Sequence, residues 1–351
     1  MARSTPIPPF PYKEFLPSIT QQLVLDDAEI HDYNAFIEGH LPPLVKAEIL
    51  ALSLGVSLKL LFAMALFPDR YYRSFFIPKR SGGKRQIDAP RVYLKTVQRW
   101  ILQNILYIRK LPPFVTGFVP GRDLLANATG HKGKKFLAKI DVKDFFGSVK
   151  LERVKTVFDT FAYPEKVTNL LVRLSTFRNS LPQGAPTSPY IANLAFLPCD
   201  HAIQEFSNQS ELTYTRYADD LTFSANREID AKLLDKLIHV VQSTGFQINA
   251  SKTRSWHSGQ RLITTGMVVN QKVHPPRQFR RRLRATFHRA SLNPEKFRSQ
   301  ASRLMGWAAF VNMYDKDLGK DYLDIARPIC STPPKSSLSR KGGSKLSTPP
   351  M

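Results

Sequence analysis

The sequence predicts an α+β fold, and three observations predict it. Long stretches carry apolar residues at helical spacing, as in residues 94–110. Shorter strand-like runs interrupt them, and two of these, around residues 70–90 and 215–224, read as hairpins. The apolar fraction of 42% is enough to bury a core.

The elements follow in order. Residues 1–45 are proline-rich, weakly periodic and without a secretory apolar core, so they read as an N-terminal extension. Residues 49–67 approach the length of a membrane span. However, Ser53, Gly55, Ser57 and Lys59 interrupt the run, and Gly55-Val56-Ser57 reads as a helix stop followed by a new N-cap. Two short buried helices are expected there. Next come two strands flanking Ser81-Gly82-Gly83, then the amphipathic helix over 94–110. A buried strand over 136–140 runs into a turn, and helical spacing resumes over 151–176. Residues 179–196 form a Pro/Gly loop that opens a helix. The hairpin at 215–224, a helix over 230–244, a strand at 246–249 and a strand pair over 261–270 complete this part. From 277 to 303 the chain is helical and basic, with eight arginines and one acid, Glu295. The last twenty or so residues are rich in Ser, Pro and Lys and are expected to be disordered.

Charge narrows the function. Fifty-one basic against 28 acidic residues give a formal net charge of +23, which favours a polyanionic partner, nucleic acid first. Two cysteines, Cys199 and Cys330, exclude a disulfide framework or a Cys-rich zinc site and fit a reducing compartment such as the cytoplasm.

One decapeptide, TRYADDLTFS, sets Asp219 beside Asp220 within a hairpin pattern. Asp is a poor strand former and neighbouring like charges repel. A turn would tolerate the pair, and so would a divalent cation at the hairpin tip. Upstream, Asp141 ends the buried run Phe136-Leu137-Ala138-Lys139-Ile140, so its carboxylate emerges at a strand end. Two-metal phosphoryl transfer requires carboxylates from separate strands to converge on a pair of cations about 4 Å apart. Asp141 and the Asp219–Asp220 pair meet that requirement, with one ion to activate an attacking hydroxyl and one to hold a triphosphate.

Six blocks in order carry a resemblance: SGGKRQIDAP, FLAKIDVKDFF, LPQGAPTSP, YADDLTFS, NASKT and TTGMVVN. Together they resemble the sequence blocks of reverse transcriptases. The resemblance implies a right-hand polymerase fold: fingers, a palm with an antiparallel sheet, and a helical thumb. It divides the chain into an extension (1–45), fingers and palm (46–270), a basic thumb (271–330) and a tail (331–351). It implies two Mg2+ ions on Asp141, Asp219 and Asp220. Lys84 and Arg85 match fingers bases that grip the triphosphate, and Phe146 matches the bulky side chain that excludes a 2′-hydroxyl. Gln183 and Gly184 match the loop that contacts nucleotide and template. Tyr217 and Ala218 match contacts to the primer end, and Lys252 matches a lysine near the phosphates.

Residues 127–131, Asn-Ala-Thr-Gly-His, resemble the block that marks the retron group. Retron enzymes also carry Val-Thr-Gly near the end of the palm, where this chain has Thr264-Thr265-Gly266, with Thr in place of Val. The compact length leaves no room after the thumb for a maturase or endonuclease domain, as expected for that group. The resemblance implies priming of DNA synthesis from an internal guanosine 2′-hydroxyl of a cognate structured RNA, with dNTPs as substrates. The expected product is branched multicopy single-stranded DNA (msDNA), made in anti-phage defence with a separate effector protein and no membrane. Asn127, His131 and the thumb arginines Arg277, Arg280, Arg281 and Arg284 are then expected to recognise RNA. Two other readings stay open: an abortive-infection or group II intron-like reverse transcriptase, and a catalytically inactive RNA-binding protein.

Overall fold

A computed structural model describes residues 12–79 and 82–331. The expected disordered tail lies, apart from Ser331, outside the described residues. The chain divides into two units, residues 1–265 with 269–272, and residues 266–268 with 273–351.

The first unit opens with helices in the region of weak periodicity: α1 (Tyr12–Leu23) and α2 (Asp27–Glu38). Asp26 and Glu29 cap α2 reciprocally, each accepting from the other's backbone N–H, which supplies the start signal that periodicity lacked. Ile19, Tyr33, Leu44 and Val45 from this region join the main core. The expected pair of short helices follows as α3 (Ala47–Leu54) and α4 (Leu58–Leu66), separated by a left-handed Gly55, with the Ser57 hydroxyl accepting from Leu60 N–H. They bend by 106°, and no single helix among the described residues is long and apolar enough to cross a membrane.

Strands β1 (Tyr72–Pro78) and β2 (Lys84–Pro90) form the expected antiparallel hairpin. Helix α5 (Val92–Asn104) is shorter than the periodicity suggested, and a 3-10 turn follows it. After α6 (Leu124–Thr129) come β3 (Phe136–Asp141) and the single turn α7 (Phe145–Ser148). The long helical pattern over 151–176 is two helices, α8 (Leu151–Asp159) and α9 (Glu165–Ser175). Ala162, at φ 58°, and Pro164 break it between them. Helix α10 (Ser188–Gln209) leads to β4 (Thr213–Tyr217), β5 (Asp220–Ala225) and α11 (Ala231–Ser243).

The sheet of this unit is antiparallel throughout, in the order β4-β5-β3-β6, where β6 is Arg254–His257. The run at 246–249, expected as a strand, makes only an isolated bridge from Ile248 to Val142, and β6, six residues further on, takes the place beside β3. Two-residue strands β7 (Ile263–Thr264) and β8 (Met267–Val268) stand where a strand pair was expected. Phe196, Cys199 and Ile203 of α10 belong to the apolar core of this unit, together with Leu221 and Phe223 of the sheet.

The second unit is helical: α12 (Arg277–Leu292), a 3-10 segment, α13 (Ala301–Tyr314) and α14 (Lys316–Ser331). Its own core includes Leu283, Phe287, Leu304, Ala308, Tyr322 and Ala326, with Phe287 stacked on Tyr322 at 3.9 Å.

Candidate active site

Strand pairing brings the three aspartates together. Antiparallel register sets Asp141 opposite Asp220 across β3 and β5, and the Val142 N–H donates to the Asp219 carbonyl at 2.9 Å. The reversal between β4 and β5 is made by Ala218 and Asp219, with Ala218 at φ 59°. Asp219 therefore sits in the turn, while Asp220 is already the first residue of a strand. Such left-handed backbone at a non-glycine residue is disfavoured by about 1–3 kcal/mol and persists only where the surroundings enforce it.

Two sets of contacts enforce it. Arg216, wholly buried, forks onto Asp200 of α10 at 2.8 and 2.6 Å, and also donates to Asn193 and to the Ala218 carbonyl at 3.1 Å. Tyr214 donates to the same Asp200. From the other side, the backbone of residues 114–117 runs beside β4. Arg216 N–H donates to the Phe114 carbonyl and Thr116 N–H to the Arg216 carbonyl, each at 2.8 Å. Gly117 lies so close that a Cβ there would stand 2.5 Å from the Ala218 nitrogen, so only glycine fits.

Asp141, Asp219 and Asp220 line an open cleft of about 410 Å³ with Lys139, Lys252 and Arg254. Lys252 contacts both Asp141 oxygens, at 3.0 and 2.8 Å, and Lys139 holds Asp220 at 2.6 Å. Burial raises the Asp219 pKa above the ordinary carboxylate value, and the charge of Asp141 adds to the rise. Burial also raises that of Asp220, against the opposing pull of Lys139. The pattern is that of concentrated negative charge needing cations. Among the described residues no group of three Asp, Glu, His or Cys side chains is arranged to hold a metal ion. The donor chemistry nevertheless suits one: three carboxylates are hard oxygen ligands of the kind Mg2+ takes, and the two ammonium groups now beside them are the contacts an ion would replace.

The other expected residues fall into three groups. Lys84 and Arg85 are exposed at the start of β2. Gln183 and Gly184 pack on that same strand. The Asp88 N–H donates to the Gln183 carbonyl, and Gly184, at φ 138°, leaves only 2.9 Å between a hypothetical Cβ and the Asp88 carbonyl. Phe146 and Tyr217, both half-buried, are each about 6 Å from the ring of Phe118, an exposed aromatic at φ 61°. Asn127 and His131 are fully buried, so their side chains present no surface for RNA. In the second unit Arg277, Arg281 and Arg284 are exposed and Arg280 is half-buried.

Sequence reasoning missed Lys139, Arg216, Asp200, Asn193 and Phe118. Lys139 was within reach, because strand alternation puts it on the same face as Asp141 two residues on. Nothing local marks the partnership of Asp200 with Arg216.

Comparison with known proteins gives the family. A family model described as reverse transcriptase (RNA-dependent DNA polymerase) matches residues 77–297. The retron Mx162 reverse transcriptase of Myxococcus xanthus is 37% identical over 332 residues, spanning 83% of this chain and 68% of the relative. The retron Mx65 reverse transcriptase of the same organism is 34% identical, spanning 85% and 73%. The retron Ec86 reverse transcriptase of Escherichia coli is 34% identical over 264 residues, spanning 74% and 82%. Among solved structures, a telomerase from Candida albicans matches with a TM-score of 0.43 at 13% identity, over 74% of this chain and 59% of that one.

Proposed function

The chain belongs to the retron reverse transcriptases, RNA-dependent DNA polymerases, and we propose that it copies part of a cognate structured RNA into branched msDNA. Synthesis starts from the 2′-hydroxyl of an internal guanosine, so that DNA and RNA are joined through a 2′,5′ linkage. The product serves anti-phage defence in the bacterial cytoplasm, with a separate effector protein. The observation that carries the reading is the pairing of Asp141 with Asp220 across β3 and β5, with Asp219 in the adjoining turn, inside an open cleft.

Reverse transcription uses a template RNA, dNTPs and divalent metal. In this reading Asp141, Asp219 and Asp220 hold two Mg2+ ions. When bound, the ions supply charge compensation for the attacking hydroxyl and the departing pyrophosphate. Lys84 and Arg85 grip the triphosphate as cationic donors. Phe146 stands under the sugar and excludes a 2′-hydroxyl from the incoming nucleotide. Gln183 and Gly184 shape the nucleotide and template side, while Tyr217 and Ala218 support the primer end. Lys252, now on Asp141, moves to the phosphates and gives its proton to the leaving pyrophosphate oxygen. Arg277, Arg280, Arg281 and Arg284 hold the RNA–DNA duplex through its phosphates.

The test is to purify the protein from its native locus with its nucleic acid, and to compare wild type with the Asp219→Ala, Asp220→Ala double variant. Wild type is expected to carry a discrete single-stranded DNA that shortens with RNase and retains a nucleotide joined through its 2′ position. The double variant is expected to carry the RNA alone. Unbranched heterogeneous DNA on wild type would reassign it to an abortive-infection type of chemistry. RNA alone on wild type would make it an inactive binder, and loss of RNA from the variant would make the aspartate pair structural.

A further inference from the structure

Asn127 and His131 of the retron-like block are buried against the β4–β5 hairpin, and their side chains have a specific job there. Along β5, Asp220, Thr222 and Ser224 share one face of the sheet, and Thr215 of β4 pairs with Thr222 on that face. Lys139 and Asp141 lie opposite Thr222 and Asp220 on β3. One face therefore carries metal-site carboxylates at one end and three hydroxyls at the other.

Those hydroxyls are all engaged. His131 Nε2 is 2.7 Å from the Thr215 hydroxyl, and its Nδ1 is 2.7 Å from that of Ser224, so the ring bridges the two strands of the hairpin. Asn127 Nδ2 donates to Thr215 at 2.8 Å and to Thr116 at 3.0 Å, and Thr116 donates on to the Arg216 carbonyl at 2.9 Å. Thr264 donates to Asn127 Oδ1 at 3.0 Å and stands 3.1 Å from the Thr222 hydroxyl. Counting protons orients the network. Thr264 spends its single proton on Asn127, so Thr222 donates to Thr264. Thr215 accepts from Asn127, and the neutral His131 ring donates through one nitrogen and accepts through the other, toward Thr215 and Ser224.

We propose that Asn127, His131 and Thr215 are positioning residues for nucleotidyl transfer: a buried clamp that fixes the β4–β5 hairpin so that Asp219 and Asp220 meet Asp141. The inference rests on the reading of those three aspartates as the catalytic carboxylates. The clamp reaches them through Thr215, two residues before Tyr217, and through Thr116, next to the Gly117 that abuts Ala218. It also gives the departure at Thr264 a meaning. A valine there would lack the hydroxyl that satisfies Asn127 Oδ1, so this chain adds a link from residues 263–265 to the block at 127–131. The two stretches that mark the group in sequence are one hydrogen-bonded unit.

Thr215→Val removes one hydroxyl at constant shape, and Thr215→Ser returns it. On a supplied RNA template with a DNA primer, Thr215→Val is expected to lower kcat at least about tenfold while the KM for dNTP moves less than about twofold, as for misplaced reacting groups. Thr215→Ser is expected to recover to within about threefold of wild type, and Thr264→Val, which cuts the added link and the Thr222 contact but leaves both His131 bonds in place, to lose less than about threefold. Amide exchange over residues 213–225 is expected to quicken in Thr215→Val while α9 is unchanged. Ser224→Ala, which frees the other end of His131, is read in the same way. The clamp is overturned if a folded Thr215→Val keeps wild-type kcat, if serine recovers nothing, or if neither Thr215→Val nor Ser224→Ala folds at the assay temperature. An active Asp219→Asn enzyme would instead defeat the catalytic reading beneath it, so the two failures are distinct.

Discussion

His131 is wholly buried between Ser224 and Thr215, and burial together with the charges of Lys139 and Lys134 pushes its imidazole pKa down to about 3. A base whose folded-state pKa lies below its unfolded value contributes stability above the unfolded value and loses it as pH falls. The window therefore opens near pH 6.5 and runs down to about pH 3. The first unit of that descent, from about pH 6.5 to 5.5, should remove about 1 kcal/mol. Denaturant melts at stepped pH check this: His131→Gln is expected to be less stable at neutral pH but to show a shallower acid limb. Parallel limbs would mean the imidazole is not held neutral. For Asp219 and Asp220 the sign is opposite. A carboxyl raised by burial lends stability only while protonated, and loses it as pH rises through the raised pKa. Once ionised, the pair is a load on the fold that a cation relieves. Asp219→Asn is accordingly expected to melt about 1–3 °C higher than wild type without divalent metal, and to lose most of the rise that Mg2+ gives wild type. A scan with and without Mg2+ decides it.

At the scale of elements, what could be read from the chain divides by the range of the forces involved. Gly55 and Ser57 announce a stop and a start within three residues, and the break between α3 and α4 lies where they put it. The hairpins β1–β2 and β4–β5 and the strand β3 likewise follow from local pattern. The run at 246–249 has a strand's composition, but β6 took the edge of the sheet beside β3, a competition settled by tertiary pairing. The carboxylate triad was legible because Asp141 closes a strand-like run and the Asp219–Asp220 pair interrupts a hairpin pattern. The supports behind it were not, since Arg216 meets Asp200 and His131 meets Ser224 only after the chain has folded. Close approach makes the loop at 183–184 testable. An added Cβ at Gly184 would press on the Asp88 carbonyl and on Ile87, in a backbone conformation that L-residues avoid. Gly184→Ala is expected to cost about 1–3 kcal/mol of stability and to raise the KM for dNTP, because the Gln183 carbonyl is pulled from the Asp88 N–H. Steady-state kinetics with unchanged KM would detach this loop from nucleotide binding.

For the whole molecule, charge and core are assigned to different surfaces. The first unit buries its own core around the sheet, and the second closes a separate one in which Leu283, Thr286, Phe287 and Ala290 form the inward stripe of α12. Arg277, Arg281 and Arg284 stand exposed outside that stripe, so they can be changed without touching what holds the unit together. The chain carries a net charge of +23, and phosphate binding by such a surface releases counterions, so log affinity falls with log salt in proportion to the phosphates neutralised. If these arginines contact duplex phosphates, replacing all three by Gln should reduce that slope by about 2–3, near one for each phosphate left without its arginine. The melting temperature should stay put, because the core of the unit is untouched, and kcat at saturating template should hold, because the carboxylates are unchanged. Anisotropy of a labelled RNA–DNA hybrid over a series of KCl concentrations measures the slope. Lines parallel to wild type would remove α12 from the nucleic-acid surface and leave its basic face unassigned. A shallower line with reduced kcat would instead mean that these side chains place the primer end as well as hold the duplex.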